Sequence, residues 1–209
     1  ITCIDFSEKL IEASKKKAEK NNLKNIFFLV EDIYKFNYDE SHYDIVLFHS
    51  SLHHFKLEPL ISNIYSSLKI KGKLIINEFV GENRLQYKKY QIKEINNCLK
   101  LIDKEYKNMF KVNMSKNSYY GSGILRMIIS DPSECIDSKN ILTTIHSKFS
   151  VIEEKGYGGN ILMPVLKDIS HHFLKMDDKK EKCLKNIFDF EDKYLQNEPS
   201  DFVFGIYQK

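Results

Sequence analysis

Tyr43-Asp44-Ile45-Val46-Leu47-Phe48 is followed at once by His49-Ser50-Ser51-Leu52-His53-His54-Phe55. The first run is short, apolar and rich in β-branched and aromatic residues. It predicts a strand covered on both faces, as strands of a parallel sheet are. The second run is polar and histidine-bearing, and reads as the loop leaving that strand. Working outward, Leu57, Leu60, Ile61, Ile64, Tyr65 and Leu68 recur at helical spacing, with Pro59 in the first turn. Gly72 marks a tight turn, and Lys73 to Phe79 reads as the next strand. Upstream, Ile1 to Ile4 ends a buried strand closed by Asp5. A helix from Ser7 carries Leu10, Ile11 and Ala18 on one face, and Ile26 to Val30 is a further strand closed by Glu31-Asp32. Strands alternating with amphipathic helices predict an α/β fold built on a parallel sheet, with right-handed crossovers.

From Glu82 to Ser130 the alternation stops. A long helix is expected over Lys88 to Tyr106, with Ile92, Ile95, Leu99 and Ile102 along one side, and a polar aromatic segment follows. Residues 82–130 are therefore read as a helical insertion, a substrate lid or a homodimer element. Residues 1–81 and 131–209 are read as the core. Asp131-Pro132-Ser133-Glu134 has the residues of a helix start: an N-cap, a proline at the first position and an acid at the third. Further helices are expected over Lys139–Lys148, Ile161–Leu174 and Lys179–Leu195, and strands over Phe149–Tyr157 and Phe202–Tyr207.

The formal net charge of +3 is small and dispersed, and Arg84 and Arg126 are the only arginines. A nucleic-acid partner is not expected on that balance. No apolar run reaches membrane-spanning length, and no membrane association is expected. Cys3, Cys98, Cys135 and Cys183 lie far apart without a C-x-x-C pair. No metal site is expected from them, and reduced thiols in a cytoplasmic protein are.

In an open parallel sheet, ligands bind at the carboxyl ends of the strands. Three strands bring polar groups there: Asp5, then Asp32, then His49 with Ser50 and Ser51. An acid at a strand end can accept hydrogen bonds from ribose hydroxyls, and one at the next strand can accept from an adenine amino group. Phe6 and Ile33 stand ready to sandwich the ring. A lone acid at a strand end is more often a turn cap, so it is the ordered set that carries the reading.

These residues resemble class I S-adenosylmethionine-dependent methyltransferases. Thr2-Cys3-Ile4-Asp5-Phe6-Ser7 is similar to the second strand and turn of that family, and Val30-Glu31-Asp32-Ile33 to its third-strand motif. Tyr43 to Phe55 resembles its fourth strand with a Leu-His-His exit. Leu68-Lys69-Ile70-Lys71-Gly72-Lys73-Leu74-Ile75-Ile76 resembles the turn into its fifth strand, with Ile70 and Lys71 departing from the usual pattern. The resemblance implies a Rossmann-like sheet, mostly parallel with an antiparallel last strand. It implies S-adenosyl-L-methionine as cofactor, held by Asp5 and Phe6, by Asp32 and Ile33, and by His49 and Ser50. It implies methyl transfer to a small-molecule or sugar-like acceptor. His53, His54 and Glu78 are the candidate bases, worth ~10²–10⁴-fold where the nucleophile is a hydroxyl. Tyr119, Tyr120 and Arg126 are candidate substrate residues on the insertion. The family's first strand and glycine-rich loop have no counterpart ahead of Asp5, and the chain opens with Ile1 in mid-run. A longer natural protein is therefore expected. The other readings are a methyltransferase-like binding subunit without activity, and a nicotinamide-dependent dehydrogenase using Asp5 for its ribose.

Overall fold

The computed structural model describes all of residues 1–209. In chain order the elements are β1 (Thr2–Asp5), α1 (Glu8–Lys20), β2 (Phe27–Val30), β3 (Tyr43–His49), α2 (Leu57–Ser67), β4 (Leu68–Phe79), α3 (Lys89–Leu99), α4 (Ile124–Ser130), α5 (Ile141–His146), β5 (Ser150–Gly156), α6 (Leu162–Leu166), α7 (Asp178–Leu195) and β6 (Phe202–Gln208). Short 3-10 turns cover Leu52–His54, Asn83–Leu85, Lys104–Lys107, Ser138–Asn140 and Ser170–Phe173.

The strands form a pair, β1-β2, and a sheet of order β3-β4-β6-β5. β1 runs parallel to β2, and β3 parallel to β4. β6 runs antiparallel to both β4 and β5, so β6 alone opposes the direction of its sheet. This is the expected α/β arrangement with a reversed last strand. The two sheets are joined through the segments that leave them. The Lys56 N–H donates to the Tyr34 hydroxyl at 2.6 Å, and Tyr34 packs edge-on to Phe55. These segments follow β2 and β3, so the carboxyl ends of both sheets face the same side.

α2 lies over the larger sheet because Leu57, Leu60, Ile61 and Ile64 share one face. They join Phe48, Leu68, Leu74, Ile76, Ile141, Ile145, Phe149 and Tyr207 in one buried core. A second core unites Tyr87, Ile95, Cys98, Leu99, Ile102 and Tyr106 with Ile161, Val165, Ile169, Cys183 and Ile187. The insertion thus packs on α6 and α7. The segment from Ile161 to Ile187 shares its core with residues 82–130. The apolar stripe of α3 faces this core inside the chain.

Several local expectations are also corrected. β2 and β3 are not covered on both faces: Phe27, Val30, Ile45 and Leu47 are exposed. β1 and β3 each pair on one edge alone, and no helix of the chain overlies those side chains. The helix expected to reach Tyr106 ends at Leu99, and Ile102 and Tyr106 re-enter the same core from a loop and a 3-10 turn. The residues Ile161 to Leu174 form a five-residue helix and a 3-10 turn instead of one helix. β4 starts at Leu68, and the turn expected at Gly72 lies within the strand. There Lys71 takes φ +64°, and a Cβ on Gly72 would lie 2.8 Å from the Lys69 carbonyl oxygen. Asp131-Pro132-Ser133-Glu134 starts no helix. Asp131 Oδ1 accepts the Ser133 N–H, and Cys135 at φ +47° turns the chain away before a helical turn closes. No helix of the protein is long and apolar enough to cross a membrane.

Candidate active site at the carboxyl edge

β1 and β2 are in register with Asp5 opposite Val30, which puts Asp5 and Asp32 on neighbouring strand exits. Asp5 Oδ1 accepts the Ser7 N–H at 2.7 Å, which starts α1, and Oδ2 has no protein partner. Asp32 Oδ1 accepts the Tyr34 N–H at 3.0 Å, and Lys35 Nζ lies 3.7 Å from Oδ2. Each acid therefore serves its turn with one oxygen and keeps acceptor capacity on the other. Phe6 is 82% exposed beside Asp5, while Ile33 packs partly on the larger core. Phe6 is free to cover a flat ligand, whereas Ile33 offers one face.

His49 closes β3 opposite Asn77. Its Nδ1 is 3.1 Å from Ser50 Oγ, and Ser50 has φ +49°, a backbone state that swings the chain sharply out of the sheet. The turn that follows is organised by Glu78. This residue is 0% exposed at the end of β4. Its Oε1 accepts the N–H groups of Ser51 and Leu52 at 2.7 and 2.9 Å, and its Oε2 lies 2.7 Å from His53 Nδ1. A buried carboxylate needs such partners to offset its lost hydration. With both oxygens committed, Glu78 acts as a positioning residue and is not placed to meet a substrate; its expected role as a base is corrected on that ground. His53 is itself buried, whereas His54 is part-exposed and lines a groove of about 490 Å³ with Tyr34, Lys56, Pro59, Pro132, Ser133 and Ile136.

The loop from Asp131 to Ile136 lies over the two histidines and was not legible as part of the site. Arg84 secures it: its guanidinium donates to the carbonyls of Pro132 and Glu134 at 2.6 and 3.1 Å, and its own N–H to that of Cys135 at 2.7 Å. The Ile136 N–H donates to the His53 carbonyl, and His54 Nδ1 is 3.0 Å from Ser133 Oγ. The Ser133 hydroxyl and backbone N–H hold the Asp131 carboxyl below the usual carboxylate range. A polar Asp-x-Ser-Glu run beside a proline was the one signal available, and it reads equally as a helix cap.

Of the substrate residues expected on the insertion, Tyr119 and Arg126 meet at Ser122, and Tyr120 points to solvent. Tyr119 stacks edge-on to Tyr87 in the second core, its hydroxyl 3.1 Å from Ser122 Oγ. Burial pushes its pKa up. Tyr120 is 89% exposed, and Arg126 donates to the Ser122 carbonyl. Tyr119 and Arg126 thus brace the insertion through Ser122.

The sequence profile of a family described as a methyltransferase domain matches residues 1–156. The chain belongs to that family. A malonyl-[acyl-carrier protein] O-methyltransferase of Bacillus anthracis is 32% identical over 83 residues, which are 39% of this chain and 29% of that protein. The chain thus matches under a third of that relative's length. Among solved structures, geranyl diphosphate C-methyltransferase from Streptomyces coelicolor, in complex with Mg²⁺, geranyl diphosphate and S-adenosyl-L-homocysteine, superposes with a TM-score of 0.56 at 9% identity. That match covers 99% of this chain and 62% of the other. Phosphoethanolamine N-methyltransferase 2 of Haemonchus contortus, in complex with S-adenosyl-L-methionine, gives 0.55 at 14% identity, over 100% and 43%. At these identities the likeness is one of fold.

Proposed function

We propose that the protein transfers a methyl group from S-adenosyl-L-methionine to a small-molecule acceptor. The observation that carries this is the placement of Asp5 and Asp32 on adjacent parallel strand exits, Asp5 with Oδ2 unbonded and Asp32 with Oδ2 approached only by Lys35 at 3.7 Å. Those groups fit the adenosine part of the cofactor. On this reading Asp5 accepts from the ribose hydroxyls, Asp32 accepts from the adenine amino group, and Phe6 and Ile33 cover the ring. His49 and Ser50 border the methionine part. When bound, the cofactor supplies a methyl group on a sulfonium, whose departure needs no acid.

The chain's own task is then alignment, which contributes up to ~7–11 kcal/mol to such a displacement. On the acceptor side the role belongs to His54, whose ring borders the groove. Glu78 and His53 position the turn that carries it. A dehydrogenase reading loses ground to the antiparallel β6 and to the family match.

Calorimetry tests this. S-adenosylhomocysteine should bind, and NAD should not. Asp5→Ala should weaken S-adenosylhomocysteine by roughly tenfold or more, the equivalent of one or two charge-assisted hydrogen bonds. Unchanged affinity in Asp5→Ala, or preferential binding of NAD, rules the reading out.

A further inference from the structure

β4 and β5 both run antiparallel to β6, so the exit of β5 reaches the same carboxyl edge as the exit of β4. The first residue past β5 is Tyr157, which is 56% exposed. Its side chain spans the start of β6, where its ring centroid lies 5.8 Å from that of Phe202, and its hydroxyl donates to Asn77 Oδ1 at 2.5 Å. Asn77 is in register with His49 of β3 on one side and with Phe204 of β6 on the other. Register partners point to one face of a sheet, and residues one step along point to the other. Phe48 and Ile76, one step back, are buried in the core with α2, so His49, Asn77 and the hydroxyl bonded to it share the opposite face. The loop that carries Tyr157 is built around a second enclosed acid, Glu191 of α7, which is 3% exposed. Its oxygens accept the N–H groups of Gly159, Ile161 and Leu162 at 2.9, 2.7 and 2.8 Å. Gly158 and Gly159, at φ +91° and +85°, take the chain around this carboxylate, and a Cβ on Gly159 would collide with the Phe202 ring. Glu78 and Glu191 thus each organise a turn at one edge, although burying a carboxylate is costly. Burial, and after it the Glu78 carboxylate, push the Tyr157 pKa up. The phenol keeps the hydrogen it gives to Asn77 and leaves its oxygen lone pairs free.

We infer that Tyr157, held by Asn77, borders the methyl group to be transferred and offers its hydroxyl oxygen to the positive charge there. On the cofactor reading, on which this assignment rests, adenine lies at Asp32 on β2, ribose at Asp5 on β1 and the methionine part at His49 on β3. The next strand of the larger sheet is β4, and the next polar side chain in the row is Asn77 with Tyr157 bonded to it. The sulfonium puts a positive charge at that end of the cofactor, and a fixed oxygen dipole facing it is the arrangement that stabilises it without reorganisation. With its hydrogen committed to Asn77, the hydroxyl does not turn a proton toward that charge. No proton leaves the phenol and no bond to it forms, so its part is to orient the methyl group.

The test compares two cofactor analogues by calorimetry on the full chain. S-adenosylhomocysteine lacks the methyl group, and sinefungin carries an ammonium-bearing carbon in place of the methylated sulfur. The parent should bind sinefungin more tightly than S-adenosylhomocysteine. Tyr157→Phe keeps the ring against Phe202 and removes the oxygen. It should shrink that preference by about tenfold, the equivalent of one hydrogen bond to a charged group, and leave S-adenosylhomocysteine affinity unchanged. Asn77→Ala releases the hydroxyl and should shrink the preference in the same direction. A side chain that only braces the loop would weaken both analogues alike and leave their ratio fixed. The proposal is overturned if the parent shows no preference for sinefungin, or if both variants keep the parent's ratio while binding S-adenosylhomocysteine. A parent that binds neither analogue overturns the cofactor reading and this assignment together, a pattern distinct from an unmoved ratio.

Discussion

At the scale of single residues, Glu78 governs the site without touching ligand. Three hydrogen bonds converge on its enclosed carboxylate, two of them from the backbone of the turn that carries His53 and His54. Glu78→Ala strands these donors, and should cost about 3–5 kcal/mol of stability, measured by urea denaturation. A loss under 1 kcal/mol would show that water replaces the carboxylate without penalty. His54→Ala leaves this network intact and should lower kcat for methyl transfer while its urea midpoint stays close to that of the parent. Asp5, Asp32 and His49 were legible because strand exits are short and their order in sequence maps onto one edge. Ser133 was not, because a capping residue and a site residue have the same local spelling. Only the fold back of the 131–136 loop over β4's exit separates the two.

At the scale of elements, α3 shows how an apolar stripe finds its partner within the chain. Ile95 and Leu99 do lie on one buried face, as their spacing required, but the partner is α6 and α7 rather than a second chain. Leu99→Ala should cost ~2–5 kcal/mol as a buried cavity, with the elution volume on size-exclusion chromatography unchanged at low concentration. A change of oligomeric state at constant stability would return the stripe to an interface role. The join between α3 and the start of β6 carries a pH signature. Asp201 accepts from Gln91 Nε2 at 2.8 Å, and burial pushes its carboxyl up to about 6. A carboxyl raised on folding binds its proton more tightly in the folded chain. Its contribution is therefore present at acidic pH and lost as pH rises from about 4 through about 6. Asp201→Asn should stabilise the protein by roughly 1–3 kcal/mol at pH 7.5 and by little at pH 4. Thermal melts at the two pH values compare them, and an equal gain at both would reject the linkage.

At the scale of the whole molecule, the two sheets share one functional edge, and β1, β2, β3 and β5 each pair on one side alone. β1 and β3 each offer a free row of backbone groups, and beside the second row Leu47 is 64% exposed. Exposed edges with apolar side chains invite pairing between molecules. The 209-residue chain should self-associate as its concentration rises, and Leu47→Lys should reduce that association, as followed by light scattering. Equal scattering from parent and variant would clear this strand of the role. The second core lies beyond the sheet and couples residues as distant as Tyr87 and Ile187, so no local pattern announces it.

Strand and helix identities, the order of the carboxyl edge and the acids that stand on it follow from the sequence. These depend on periodicities of two and 3.6 residues, which are local. Tertiary structure alone decided which faces are covered, that residues 82–130 pack on α6 and α7, and that the 131–136 loop meets the two histidines. Those outcomes depend on which distant segments come into contact, and hydrophobic burial is indifferent to the order in which its partners occur along the chain.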